Sequence, residues 1–326
     1  MSFESLQEIT LKASYPTEAH PNRGSMPSIE MLNQRIENRD QNKETTKFVD
    51  DKGQELCKVD YNPTTGEVIA IYPVRYINEE QVAEKANEVI YITDEEGHIT
   101  GERLTRGEAR KQGKRYLIVT VHLSFNSRFL VQQRSNEKEL DSGMLSSSAH
   151  GVAKEIFSQA GERIIDGQVA ALINTALELN EELKHGSEPF IVKVWPGDTP
   201  ELYWYMNEQN ISDPNVVWLV PELYVPDSGY SMSDWTKPRT RALASGHIFS
   251  KEEPQISIDP SELQGYEWRT IDKILQDDAV ADDLPESIVQ VIRAILINSP
   301  AAKQLGPVFV DHYIDRMRGI PKERTD

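Results

Sequence analysis

Residues 116–135 read YLIVTVHLSFNSRFLVQQRS, and the architecture turns on this stretch. Ile118–Phe125 is almost wholly composed of β-formers, Asn126-Ser127 is a turn, and Arg128–Gln133 returns as a second strand. Such apolar density leaves no solvated face, so the pair belongs inside a sheet covered on both sides. Just upstream, EVIYITDEEGHITGERLT (88–105) gives two shorter strands around the turn DEEG, and TRGEARKQG has helical composition with a glycine stop. Downstream, DSGMLSSSAHG is a small-residue loop, followed by a long helix from about Asp166 to Leu183. ALASGHIFS is a further strand, GYEWRTIDKIL a strand end running into a helix, and PESIVQVIRAILIN an amphipathic helix.

Short strands interleaved with a few helices make the fold class α+β, a mixed sheet with helices packed on it. Before this core, GQELCKVDYNPTTGEVIAIYPVRYI alternates around PTTG and predicts a hairpin, Leu56–Tyr61 against Val68–Val74, then a short helix Glu79–Ala86. The organisation reads as a flexible tail over 1–46 with a short helix at Ser28–Ile36, then a β-hairpin and short helix over 47–87. The main domain follows over 88–300, with a long insertion at about 187–240, and then a C-terminal helix and tail over 301–326. The insertion is rich in Trp, Tyr and Pro and reads as strands and ordered loops.

The whole chain has 326 residues and a formal charge of −18, from 53 acids against 35 bases. That surface repels nucleic acid and anionic membrane, and no run of lysine and arginine relieves it. No apolar run approaches 18 residues and no secretory signal opens the chain. The single cysteine, Cys57, fits a reducing cytoplasm; in ELCKVDY it reads as a small apolar filler rather than a nucleophile.

The long helix ends in TALELNEELKHG (Thr175–Gly186). On a helical wheel, Val169, Leu172, Ile173, Ala176, Leu177, Leu179 and Leu183 share one side, and Glu178, Glu181 and Glu182 the other; Asn180 falls awkwardly among the apolar residues. A solvated acidic face is the ordinary explanation for such a pattern. Against it, like charges at these spacings repel by a few tenths of a kcal/mol per pair. Carboxylates also oppose the negative end of the helix dipole, by roughly 0.3–1 kcal/mol each. Carboxylates gathered on one face are what a hard cation such as Mg²⁺ requires.

The helix ending ALELNEEL resembles the core of the Nudix box, with Glu178, Leu179, Glu181 and Glu182 on the motif. Its surroundings, through Asp94, Gly97, Gly101, Thr105-Arg106, Glu108-Ala109 and Gln132-Gln133-Arg134-Ser135, resemble Nudix domains of the isopentenyl diphosphate isomerase-like type. The resemblance covers roughly residues 88–298 and implies a Nudix-like mixed-sheet α/β/α sandwich in which the three glutamates hold Mg²⁺ or Mn²⁺. The box is half kept. Leu177 stands where the consensus has arginine, Gly186 comes two places late, and about ten extra residues follow Gly151, leaving Glu162, Asp166 or no residue as the first-half acid. The loop SSSAHG has Ala149 and no cysteine, and GKRYL no histidine, which argues against isomerase chemistry.

The resemblance therefore implies a metal-dependent hydrolase of a diphosphate linkage in a small molecule, such as a nucleoside diphosphate derivative. Its catalytic and metal residues would be Glu178, Glu181 and Glu182, with Arg134 and His150 as substrate contacts and Glu252, Glu253 or Glu267 as further candidate bases. An acidic protein would then bind an anion through the cation. Two alternatives stay open: a Nudix-fold protein that binds without turnover, and an acidic helix with an interaction role. The insertion aromatics (Trp195, Trp204, Tyr205, Trp218, Tyr224, Tyr230, Trp235) suit the core of an added layer, base stacking or a homodimer contact. His122, inside an apolar strand, reads as a core histidine.

Overall fold

The computed structural model describes residues 27–74, 87–126, 128–136, 142–227, 238–258, 260, 263–275 and 288–289. The expected helices at 79–86 and over PESIVQVIRAILIN, the C-terminal tail, Tyr230 and Trp235 lie outside the described residues or almost wholly so. The elements begin α1 (Ile29–Asp40), β1 (Glu44–Val49), β2 (Glu55–Tyr61), β3 (Val68–Pro73), β4 (Val89–Thr93), β5 (Ile99–Thr105), α2 (Arg106–Lys111), β6 (Tyr116–Phe125) and β7 (Arg128–Arg134). Then come β8 (Leu145–Ser146), β9 (Ala149–Val152), β10 (Phe157–Ser158), α3 (Gly167–Glu182), β11 (Leu183–His185), β12 (Ile191–Val194), α4 (Thr199–Gln209) and β13 (Asp213–Asp227). Last are β14 (Arg239–Phe249), β15 (Ile256–Ile258), β16 (Leu263–Arg269) and α5 (Ile271–Leu275).

Every residue of β6 is buried, as its lack of a polar face requires. One edge of β6 runs parallel to β14 from Tyr116↔Arg239 to Ser124↔His247. Its other edge meets β4 at Tyr116, β9 along 118–121 and β7 at 124–125, all antiparallel. Asn126, at φ 48°, starts the β6–β7 turn, a conformation asparagine tolerates well. The small-residue loop has a structural reason. Buried Ser148 donates to the Leu130 carbonyl and accepts from the Leu123 amide, tying β6 to β7 with a side chain that fits between them.

The sheet continues from β14 through β13, β12, β3, β2 and β1 to β10. The fold is thus mixed α+β with one large mixed sheet and few helices. β12 pairs parallel to β13 and antiparallel to β3 (Val192↔Ile71), so the N-terminal hairpin, β12 and β13 extend the same sheet. The first strand begins at Glu44, ahead of Phe48 where the alternation becomes visible, and the helix expected to end at Ile36 runs on to Asp40.

Helix α3 lies on one face, where Leu117, Val119, Val121, Ala149, Ala153, Ala242 and Ala244 meet Ala170, Ile173, Ala176, Leu177 and Leu179. The alanines on β9 and β14 let the helix backbone approach closely. Asp166 caps it, accepting from the amides of Gln168 and Val169. Asn180, which the wheel left unexplained, donates to the Ala176 and Phe190 carbonyls and accepts from the Phe190 amide at 2.5 Å, stapling the following chain to the helix.

Helix α4 covers the opposite face. PELYWYM looks strand-like by composition, yet it is helical, because Asp198 accepts from the Glu201 amide as N-cap and Pro200 suits the first turn. Leu202 and Met206 of α4 pack with Leu32 of α1, Trp195 and Val220, each side chain contributing roughly 1.5–3 kcal/mol by burial. Trp195 lies 5.2 Å from the Tyr205 ring and 6.0 Å from that of Trp218, so Trp195 is core and the other two pack against it partly buried. Inside, α4 joins the sheet through a buried polar chain. Glu222 Oε1 accepts from Ser245 (2.6 Å) and Thr199 (2.8 Å), Ser245 Oγ lies 2.9 Å from His247 Nε2, and His247 Nδ1 lies 2.6 Å from Ser124 Oγ and 3.2 Å from the Tyr203 hydroxyl.

Candidate active site

The C-terminal half of α3 runs past β9, and two of its three acidic residues are buried. Glu178 and Glu182 are each 8% exposed. Four residues apart, they share a row of the helix and both turn towards the dipeptide His150-Gly151. The Glu178 carboxylate rests against the Cα of Gly151, and a Cβ there would collide with it. Glu182 Oε2 accepts from the His150 amide (3.3 Å) and from Gln132 Nε2 of β7 (3.1 Å).

Glu181 lies one row over and points elsewhere. Its Oε1 accepts from Lys154 Nζ at 2.5 Å. Lys154 also lies 3.6 Å from Glu88. Burial alone would lower the lysine pKa, but Glu181, Glu178 and Glu88 outweigh it and raise the pKa well above the usual lysine range. Leu177, at the place of the consensus arginine, is in the core and 5% exposed.

The His150 ring lies on the other face of β9 from Gly151, the face of Val152 and Ile118, and the charges of four arginines reach it. Burial, then the charges of Arg134, Arg239, Arg241 and Arg106, push the His150 imidazole down to about 3, so the ring is neutral near pH 7. Arg239 and Arg241 are alternate residues at the head of β14 and both are buried. Arg134 ends β7 and Arg106 opens α2, where the Thr105–Glu108 capping box fixes the helix start. Arg106 also feels the charge of Glu178.

The other residues singled out from sequence have different surroundings. Asp166 is the helix cap and Glu162 donates its amide to Ser158 in an exposed turn. The buried acid of that segment is Glu155, held by Arg163 at 2.6 Å and Arg103 at 2.8 Å. Glu253 pairs with Arg128 beside the β6–β7 turn, and Glu267 with Arg269 on β16. His122 is buried and its pKa is lowered to about 3, first by burial and then by Arg241, as suits a neutral core histidine. Burial raises the Cys57 thiol to about 12, which removes it as a nucleophile.

Among the described residues, one group of three acid or histidine ligands has its atoms within 4.8 Å of one another: Asp94, Glu96 and His98, in the turn between β4 and β5. The three helix glutamates instead divide, Glu178 and Glu182 towards β9 and Glu181 towards Lys154. Sequence reading missed Lys154, Arg106 and the β14 pair. A signal for the last existed: RTRALASG sets two alternating arginines at the head of an apolar strand, an expensive arrangement unless each charge is paired.

No family model matches the chain, and no curated protein does. Among solved structures, the protein DR0079 of Deinococcus radiodurans shares 16% identity over 61% of this chain and 96% of its own, with a TM-score of 0.37. A MutT protein of Methanosarcina mazei Go1 shares 13% over 54% of this chain and 92% of its own, with a TM-score of 0.33. A Nudix hydrolase of Alicyclobacillus acidocaldarius shares 12% over 58% of this chain and 95% of its own, also at 0.33. Likenesses of this size carry no inference about the site. Among the described residues, no helix is long and apolar enough to cross a membrane.

Proposed function

We propose that this chain is a metal-dependent hydrolase of a diphosphate linkage in a small molecule, of the kind the Nudix-like helix ending implies. One observation supports it above the others: Glu178 and Glu182, both almost out of solvent, converge on the backbone of His150-Gly151. Two carboxylates that converge near the end of β7, where Arg134 stands in step with the Gln132 that donates to Glu182, suit a substrate that carries a metal-chelated diphosphate.

The residues fit the metal. Two carboxylates almost out of solvent, one resting where any Cβ would collide, make an all-oxygen donor set suited to Mg²⁺ or Mn²⁺. Bound there, the cation would neutralise diphosphate charge and lower the pKa of a coordinated water. Glu178 and Glu182 would hold it, while Glu181 of the same motif is turned to Lys154. Arg134 would take phosphate oxygens, in the bidentate geometry guanidinium favours. His150, neutral near pH 7, adds no competing charge and keeps its amide on Glu182. A cytoplasmic location belongs to the same proposal, supported by the single buried thiol.

The test is a panel of nucleoside diphosphate derivatives incubated with Mg²⁺ and with Mn²⁺, read as monophosphate release, for the wild type and Glu182→Gln. Release that Glu182→Gln removes supports the proposal. The absence of both Mn²⁺ binding and release would sink it. A second reading, binding without turnover, is favoured by Leu177 in the core at the consensus arginine position. Metal-dependent capture of a diphosphate with no release would select that reading.

A further inference from the structure

Lys154 is fixed to α3 before its side chain reaches any acid. Its amide donates to Asn174 Oδ1 (2.9 Å) and its carbonyl accepts from Asn174 Nδ2 (3.1 Å), with Asn174 itself held to the Ala170 carbonyl (2.9 Å). From that anchor the side chain runs along the helix to Glu181, with Glu88 beyond. The last turn of α3 carries no basic residue of its own, so this ammonium, supplied from the end of β9, is the cation set against Glu181. Glu178 and Glu182 occupy a different row and face β9. The structure therefore sorts three glutamates, which look equivalent in sequence, into a pair and a single.

We propose that Lys154 is a positioning residue that withholds Glu181 from the metal, so that the cation is held by Glu178 and Glu182 while Glu181 stays paired with the ammonium. This rests on the metal-dependent reading above and divides its acidic set. An ordinary structural ion pair would leave metal affinity alone. Here the lysine has two effects on a dication: it occupies one carboxylate and it repels the incoming charge. Removing it exposes a third ligand and deletes a nearby positive charge, so affinity rises.

The experiment is a Mn²⁺ titration of the full chain, followed by the electron paramagnetic resonance signal of free Mn²⁺ and by calorimetry. It compares the wild type, Lys154→Met, Lys154→Arg and the double variant Lys154→Met/Glu181→Gln. Lys154→Met is expected to bind Mn²⁺ tighter by about fivefold or more, the scale set by a unit charge several ångströms away near a protein surface. Lys154→Arg stays within about twofold of the wild type, because a guanidinium can hold the same carboxylate. The double variant loses the gain. Misfolding cannot mimic a gain in affinity. Unchanged or weaker binding by Lys154→Met, with the wild type still binding, overturns this inference and leaves the hydrolase reading standing; so does a double variant that keeps the full gain. A wild type that binds no Mn²⁺ overturns this inference, and one that also releases no monophosphate removes the hydrolase reading with it.

Discussion

Glu222 is a carboxyl group buried against two hydroxyls and no cation, and replacing it should change how stability depends on pH. Burial raises its pKa from the ordinary 4.5 to about 7, opposed by the hydrogen bonds from Ser245 and Thr199 and assisted by the charge of Asp198. The titratable groups facing it are Asp198 and Tyr203 on α4 and His247 on β14, and burial lowers His247 to about 3, so His247 offers no positive charge near neutrality. The sign follows from proton binding. Between pH 4.5 and about 7 the folded chain keeps the Glu222 proton that the unfolded chain has lost, so stability falls as pH rises through that window and the loss is complete above it. A displacement of that size corresponds to about 3 kcal/mol. Glu222→Gln keeps an acceptor for both hydroxyls and carries no charge. Urea unfolding followed by tryptophan fluorescence at pH 5, 6, 7 and 8 gives the difference between variant and wild type at each pH. Contributions from other titrating groups, the buried histidines included, cancel in that difference. It should move in the variant's favour by about 2.5 kcal/mol from pH 5 to pH 8, the rest of the displacement falling below pH 5. A difference that stays flat across this range would refute the claim that a neutral carboxyl group ties α4 to the sheet.

Three further outcomes are expected. Gly151→Ala must displace the Glu178 carboxylate and should weaken Mn²⁺ binding by about tenfold or more, as perturbed metal-site support generally does; Gly101→Ala, where an added Cβ meets nothing within 4 Å, should leave titrations unchanged. Asn180→Ala strips the buried Phe190 amide of its acceptor and should cost about 2 kcal/mol or more in urea unfolding, with α3 still formed by circular dichroism. Cys57, with its thiol raised to about 12, should resist a thiol-specific reagent such as dithionitrobenzoate in the native protein and react rapidly in denaturing urea.

The parts of the fold legible from sequence are those where one local rule acts alone. The β6–β7 hairpin follows from a run of β-formers and an asparagine turn. Helix α3 follows from an apolar stripe behind an aspartate cap, and it starts and stops within a residue of the expected Asp166–Leu183. The element that sequence reading missed is one where two rules disagree. In PELYWYM the aromatic composition favours a strand, whereas the Asp198 cap and Pro200 favour a helix; packing of Leu202 and Met206 beside Trp195 decides for the helix. The acidic face of α3 was legible as a site candidate, but its internal division was not. Helical spacing says which glutamates share a row. It cannot say that Asn174 clamps Lys154 two turns upstream of Glu181, because that contact joins two segments whose approach depends on the sheet.

The departures of the glutamate motif and the N-terminal extension can be read as one structural event. Between Gly151 and α3 the chain makes an excursion that contains β10, and β10 pairs with β1, a strand of the extension (Phe48↔Ser158, Val49↔Phe157). The residues that lengthen the first half of the motif are therefore those that close the extended sheet at its far edge. Glu155, in the same excursion, spends its charge on Arg163 and Arg103 rather than on the site. A segment recruited into sheet pairing cannot also fold back as an acid-bearing loop above the helix. On the proposed reading, the other charges near the carboxylate pair come from other elements: Lys154 just past β9, Arg106 at the head of α2 and Arg134 at the end of β7. Those three positions, rather than the missing half of the motif, are where substitutions should discriminate a working metal site from an inert acidic helix.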